Sequence, residues 1–317
     1  MVRPRPRLTP ELLDAPVSRT ARAVAHEFLE AAVAERGRLP EGGEALHDFR
    51  VAIRRLRSWL RAFRPSLDDT VSGRTRRALA ALADASNQAR DAEVGLEWLA
   101  AQRHAHPHAR REARALQARL RRELRAAMRR LHRHLADEFE TTVLRLDGEV
   151  AETVSATTRE AKGSSAARVL AALIRRHARA LAAALGRVHG PGDEAAAHRA
   201  RIAGKRLRYL IEPLDADPEA RRVVQRLKRL QDALGEFHDA CVLGARLPAS
   251  GSALEDRVRT RIALAFTRVR RGWLGRKPAE VRSAADRVAH RLADAEADRL
   301  DGEARSRALS SGRSAAS

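Results

Sequence analysis

The chain has 317 residues, 44% apolar but only 3% aromatic, so its core must be built largely from Ala, Leu and Val. Sixty-two basic side chains against 41 acidic ones leave a net charge of +21, and only Lys162, Lys205, Lys228 and Lys277 among the basic residues are lysines. A single cysteine, Cys241, excludes an intramolecular disulfide and a cysteine-based zinc site.

A charge of this size repels itself in a compact fold and predicts polyanionic partners. The opening residues, MVRPRPRLTP, are basic but are not followed by an apolar run, so no secretory signal is expected. No stretch of about 18 apolar residues predicts a membrane span. The cytoplasm is the expected compartment.

In chain order, residues 1–13 read as a basic tail. A helical pattern over about 18–36 ends at Gly37 and Pro40, and a second over about 44–63 stops at Pro65. Separate helices are predicted over about 68–86 and 90–102. HAHPHA, at 104–109, reads as a turn, and a long, highly charged helix follows over about 109–135. Another extends to about Glu160. AKGSSAA, 161–167, reads as the central linker. Helices are then expected near 166–186, 193–212, 218–235, 236–246, 252–272 and 279–298, with a disordered tail over 301–317. Ala, Leu, Arg and Glu are all good helix formers, and the prediction is an all-α protein. Its main body spans 14–300, with halves of about 14–160 and 161–300.

Two stretches carry the functional argument. HDFRVAIRRLRSWLRAF occupies 47–63, and HRARIAGKRLRYLIEPL occupies 198–214, 151 positions later. With about 100° of turn per residue, His47, Arg50, Arg54, Arg57 and Arg61 fall within roughly an 80° arc. Phe49, Ile53, Leu56, Trp59, Leu60 and Phe63 take the opposite side. In the second copy, His198, Arg201, Lys205 and Arg208 share the cationic arc, and Leu207, Leu210, Ile211 and Leu214 the apolar one. Arg55 and Arg206 sit at matching edges. Glu212 stands where the first copy has Arg61.

The match continues downstream at an offset of 148. LAALADASNQARDAEV (79–94) aligns with LKRLQDALGEFHDACV (227–242), which pairs Asp91 with Asp239 and Arg90 with His238. Arg74 and Arg222 also correspond. A shared motif at a shared distance from a second shared motif points to an internal duplication.

These residues, HDFRVAIRRLRSWL and HRARIAGKRLRYLIEPL with ARDAEV and LQDALGEFHDACV, resemble the CHAD family, the conserved-histidine α-helical domain. The resemblance covers roughly residues 14–300. It implies two helical bundles related by a pseudo-twofold axis around a basic groove. Members of that family bind inorganic polyphosphate and are found with polyphosphate granules. Some carry a triphosphate-tunnel hydrolase domain, but no strand pattern for one is present here, so the chain resembles a stand-alone binding member. No enzymatic activity, cofactor or metal is implied.

Polyphosphate is a flexible polyanion with no bases and no apolar surface. Arginine suits it, because the planar guanidinium can grip two phosphate oxygens. Arginines one turn apart set a donor about every 5.4 Å. The predicted track is Arg50, Arg54, Arg57, Arg201, Lys205 and Arg208, with Arg55 and Arg206 at its edge and Arg61 extending one end. His47 and His198 are expected to donate to phosphate, with imidazole pKa values lowered by neighbouring arginines and raised by bound phosphate. Arg90 and His238 are further candidate ligands. Asp91 and Asp239 are expected to hold arginines.

Two other readings compete. Charge alone supports weak nucleic-acid binding, although single-strand binding commonly uses aromatic platforms. The His-Asp doublets at 47–48 and 238–239 suggest a metal-dependent phosphohydrolase, but adjacent residues on a helix diverge by about 100° and no carboxylate cluster accompanies them. A scaffold role through the long helix at 109–135 is a third possibility.

Overall fold

The computed structural model describes residues 6–41, 44–67, 70–102, 107–151, 164–247 and 251–314. It is all-helical. Among the described residues the β features reduce to one isolated bridge, between Pro16 and Ser165.

The helices are α1 (Pro10–Asp14), α2 (Val17–Arg38), α3 (Glu44–Ala62), α4 (Arg64–Leu67), α5 (Gly73–Ala100), α6 (Pro107–Arg133) and α7 (Phe139–Ala151). They continue as α8 (Ala166–Leu185), α9 (Glu194–Ile211), α10 (Pro218–Gly244), α11 (Ala253–Trp273) and α12 (Lys277–Ser314).

Helix α3 shows why the elements assemble. Its apolar side buries Phe49, Ile53, Leu56, Leu60 and Phe63, each worth about 1.5–3 kcal/mol relative to exposure. Trp59 is also buried; it packs at a tilt on Phe63 with 4.3 Å between ring centroids, and its Nε1–H donates to the Ala21 carbonyl of α2 at 2.9 Å. In α9, Leu207, Leu210 and Ile211 are buried in the same way.

In the first half α2 packs on α3, α3 on α5, α5 on α6, and α7 on α2. In the second, α8 packs on α9, α9 on α10, α10 on α11, and α12 on α8. The halves meet where α2 touches α8, α3 touches α9, α5 touches α10, and α6 touches α11. One core runs through both halves, with a smaller cluster around Leu99, Leu116, Leu120, Leu243 and Val258.

Several boundaries differ from those predicted. The expected helices over 68–86 and 90–102 are a single α5 with Ala85, Ser86 and Ala89 buried along it. Ser86 avoids breaking the helix by donating its hydroxyl to the Ala83 carbonyl at 2.8 Å. The predicted break at Gly235 is likewise absent: α10 runs through it, because Leu230, Leu234, Phe237 and Cys241 keep an unbroken buried stripe. A short π-helical turn, His134–Glu138, joins α6 to α7.

The predicted tail is a tail only in part. Thr9 caps α1, Leu8 is buried, its N–H donates to the Pro213 carbonyl at 2.9 Å, and Arg7 pairs with Asp215. Residues 1–5 lie outside the described residues, as do 152–163, which include the predicted helix end at Glu160 and the first three residues of the linker. Helix α12 continues through 301–314, where the sequence predicts a disordered tail; Ala, Leu, Arg and Glu there favour helix and no proline interrupts it.

Cys241 is buried in α10, and burial, with Glu194 nearby, pushes its thiol up to about 12. A thiol-specific chromogenic reagent at mildly alkaline pH is expected to leave it unmodified in the native protein and to react once denaturant is added, because only the thiolate attacks. Rapid labelling of the folded protein would contradict that burial.

Candidate functional site

Helices α3, α5, α9 and α10 enclose a cavity of about 710 Å³ at the junction of the halves. Eleven of the thirteen predicted site residues line it: His47, Arg50, Arg54, Arg57 and Arg61 from α3, Arg90 from α5, His198, Arg201, Lys205 and Arg206 from α9, and His238 from α10. The amphipathic geometry explains this. The apolar arcs of α3 and α9 face the core, which turns both cationic arcs toward the junction.

The cations crowd one another. Burial first, then Arg201, Arg54, Arg208 and Arg50, bring the Lys205 ammonium down to about 6. Burial and then Arg54 lower the Arg50 guanidinium to about 10. Arg201 is lowered chiefly by burial and further by Arg54, against the pull of Asp239 and Asp91. Arg206 is lowered by burial and by Arg61 from the other half.

The histidines lie at the same place. His198 and His238 meet at a tilt of 44° with ring centroids 5.0 Å apart. Burial and then Arg201 bring His238 to about 4. His47 and His198 are both lowered, first by burial and then by Arg50 and Arg201 respectively.

Carboxylates also line the cavity, but at different depths. Asp84 pairs loosely with Arg57 at 3.9 Å with its side chain 68% exposed, and Glu236 pairs with Arg268 of α11. Deeper, Asp91 and Asp239 both face Arg201. Burial raises the Asp239 carboxyl, Arg201 counters it, and Asp91 adds to the rise. Thus one carboxylate from each half acts on one arginine.

Two predicted track residues are elsewhere. Arg55 donates from Nε to Glu212 Oε2 at 2.9 Å, and Arg208 Nε lies 3.5 Å from Glu212 Oε1. Arg208 also sits 4.8 Å over the Tyr209 ring. Neither lines the cavity. The cause is Glu212, one turn beyond Arg208 and 6% exposed, which draws both guanidinium groups to itself. Arg74 and Arg222 are exposed and do not line the cavity either, and Arg222 pairs with Glu219.

Asn87 and Gln231 are two of the lining residues that the sequence did not single out. Asn87 Oδ1 accepts from Arg54 Nη2 at 3.2 Å and from Arg50 Nη2 at 3.5 Å, so it orients both. Gln231 is buried, and its Nε2 has no acceptor in the protein. Arg50 Nε is a second buried donor of this kind. Asn87 lies one turn before Asp91 and so shares its face; the signal was the continuity of α5, which the predicted break concealed.

The CHAD domain model matches residues 19–248, well over half of the chain. The chain belongs to the CHAD family. This CHAD protein is similar in structure to the CHAD domain of the plant Ricinus communis, known from a crystal structure: TM-score 0.63 and 23% identity over 89% of this chain and 94% of that one. It is also similar to PptA from Streptomyces chartreusis, with TM-score 0.54 and 20% identity over 87% of this chain and 100% of that one. At these identities the likeness shows the shared fold. No curated protein sequence matches the chain.

Proposed function

We propose that this CHAD protein binds inorganic polyphosphate, without catalysis, in a basic groove formed by the cavity. One observation carries the reading: Arg50 and Arg54 from one half and Arg201 and Lys205 from the other crowd into one partly buried space, each lowered or lowering its neighbours by repulsion. A flexible polyanion relieves that repulsion and supplies acceptors for the buried donors of Arg50 and Gln231.

We further infer that the halves arose by duplication and are related by a pseudo-twofold axis. The contacts support this, since each helix at the junction touches its own counterpart: α2 with α8, α3 with α9, α5 with α10, and α6 with α11. The same chemistry would place the protein on polyphosphate-rich bodies such as granules. No helix among the described residues is long and apolar enough to cross a membrane.

Nucleic acid receives less support at this site. Trp59 and Tyr209 are buried in the core, so the only rings lining the cavity are imidazoles and there is no platform for bases. Phosphohydrolase chemistry also receives less support. Among the described residues no three His, Cys, Asp or Glu side chains converge as a metal centre requires.

The test is calorimetric titration of long-chain polyphosphate into wild type and into Arg54→Gln/Arg201→Gln. Each charge-assisted hydrogen bond is worth about 1.5–3 kcal/mol, so the double variant is expected to lose about a hundredfold or more in affinity while keeping its helical circular dichroism. Excess duplex DNA should not displace polyphosphate from wild type. Equal affinity in the two proteins, or ready displacement by DNA, would remove the basis for the proposal.

A further inference from the structure

The positive charge does not end at the cavity. Helix α6 carries ten arginines against two glutamates between residues 107 and 133, a net +8 of the chain's +21. On a wheel of 100° per residue, Arg111, Arg114, Arg121, Arg125, Arg129 and Arg133 fall within one arc of roughly 120°. All six are exposed. Leu116, Leu120, Ala127 and Leu131 are buried on the opposite side, against the body of the protein. The row extends about 33 Å at 1.5 Å per residue.

The arc contains no acid. Glu112 and Glu123 lie on the helix flank, and Glu123 is engaged by Arg119 and by Arg246 of α10. None of the six row arginines forms an ion pair among the described residues. Helix α11, which occupies the matching place in the second half, differs: Arg259 pairs with Glu255 and Asp256, and Arg268 with Glu236. Two exposed arginines of α11 thus have acid partners, whereas none of the six in the α6 row does. Ordinary solvation demands no such contrast.

We infer that the exposed arginine row of α6 is a second polyphosphate-binding surface, separate from the cavity, so that one molecule holds two chain segments and cross-links long polyphosphate. This rests on the proposed function above. The arc presents guanidinium groups with Ala115 and Ala118 between them; it has no large apolar side chain to enter a lipid surface, and its one ring is the His132 imidazole, with no Phe, Tyr or Trp to form a platform for bases. What remains is a straight track of bidentate donors, matched to a flexible string of phosphates. Off the row, on the flank of α6, Arg130 donates to Gln88 of α5, which does not line the cavity.

The variant is Arg114→Gln/Arg121→Gln/Arg125→Gln/Arg129→Gln, all exposed and all replaced by a good helix former, with Arg270→Gln/Arg271→Gln on α11 as the control. A short, size-defined oligophosphate is titrated calorimetrically, and light scattering is followed with long-chain polyphosphate. Wild type and control are expected to bind two oligomers, and the α6 variant one, at the affinity of the tighter site. The salt slope for long chains should fall by about three, since each phosphate that an arginine neutralises adds roughly 0.7 to it. Scattering should be lost in the α6 variant alone.

Unchanged stoichiometry and scattering in the α6 variant would overturn the inference and leave α6 a solvated face. Retained polyphosphate binding with loss of duplex DNA binding would overturn it in favour of nucleic acid. The two readings fail separately. If Arg54→Gln/Arg201→Gln leaves both oligomer sites intact, the cavity reading fails; if wild type binds a single oligomer that the α6 variant retains, only the α6 surface fails.

Discussion

Polyphosphate affinity is expected to fall about tenfold per pH unit above pH 6, with about one proton taken up for each ligand bound at the cavity. The source is Lys205. In the free protein its ammonium is held down to about 6 by burial and by Arg201, Arg54, Arg208 and Arg50, so at neutral pH it is mostly uncharged. A bound polyanion reverses the field and favours the ammonium. The sign follows. The bound pKa lies above the free one, so binding takes up a proton in the window between them, and affinity declines as pH rises through it. Below about 6 the lysine is charged in both states and its contribution flattens. His47, His198 and His238, lowered in the same field, shift the acid end of the profile in the same sense.

Calorimetry at pH 7.5 in two buffers of different ionisation enthalpy reads the uptake directly. Lys205→Met should lose that proton and much of the affinity. Lys205→Arg, charged throughout, should keep the affinity and flatten its pH dependence. Heats independent of buffer, together with constant affinity between pH 6.5 and 8.5, would show that Lys205 is already charged in the free protein or does not meet the ligand.

Much of this site was legible before any coordinates. The wheel positions of Arg50, Arg54, Arg201 and Lys205 follow from helical periodicity, and the buried faces of α3 and α9 left them one direction to point. What periodicity could not show was how far each helix continued. Reading a break near 87–89 detached Asn87 from Asp91 and hid the residue that orients Arg50 and Arg54. Nor does a wheel weigh partners. Arg208 lies in the same arc as Arg201, yet it turns to Glu212, because an acid one turn away with its side chain nearly buried outweighs an open cavity full of like charges. Glu212 was visible in the sequence as the acid that stands where the first copy has Arg61; its consequence for Arg55, 157 positions away, needed the fold. The α6 row is the converse case: its charge and its acid-free arc are plain in the sequence, but that no acid of a neighbouring helix pairs with it, among the described residues, is a property of the packed helix.

Glu212→Gln is expected to destabilise the protein by roughly 3–5 kcal/mol, the usual cost of removing one partner from a buried ionic cluster. The Glu212 side chain is 4% exposed, and those of Arg55 and Arg208 are 18% and 14% exposed. Taking the negative charge away leaves two guanidinium groups, one from each half, facing a neutral amide with little water to screen them. The attraction itself is not the large quantity, since desolvation offsets much of it; the uncompensated charges left behind are. Replacing the whole cluster should therefore hurt less than replacing its centre. Arg55→Met/Arg208→Leu/Glu212→Leu is expected to recover most of the loss by exchanging buried charge for packed apolar surface. Denaturant titration of the three proteins, read by circular dichroism, gives the comparison. A loss below about 1 kcal/mol for Glu212→Gln would put the pair in the range of exposed salt bridges, and water would then have to reach the seam between α3 and α9.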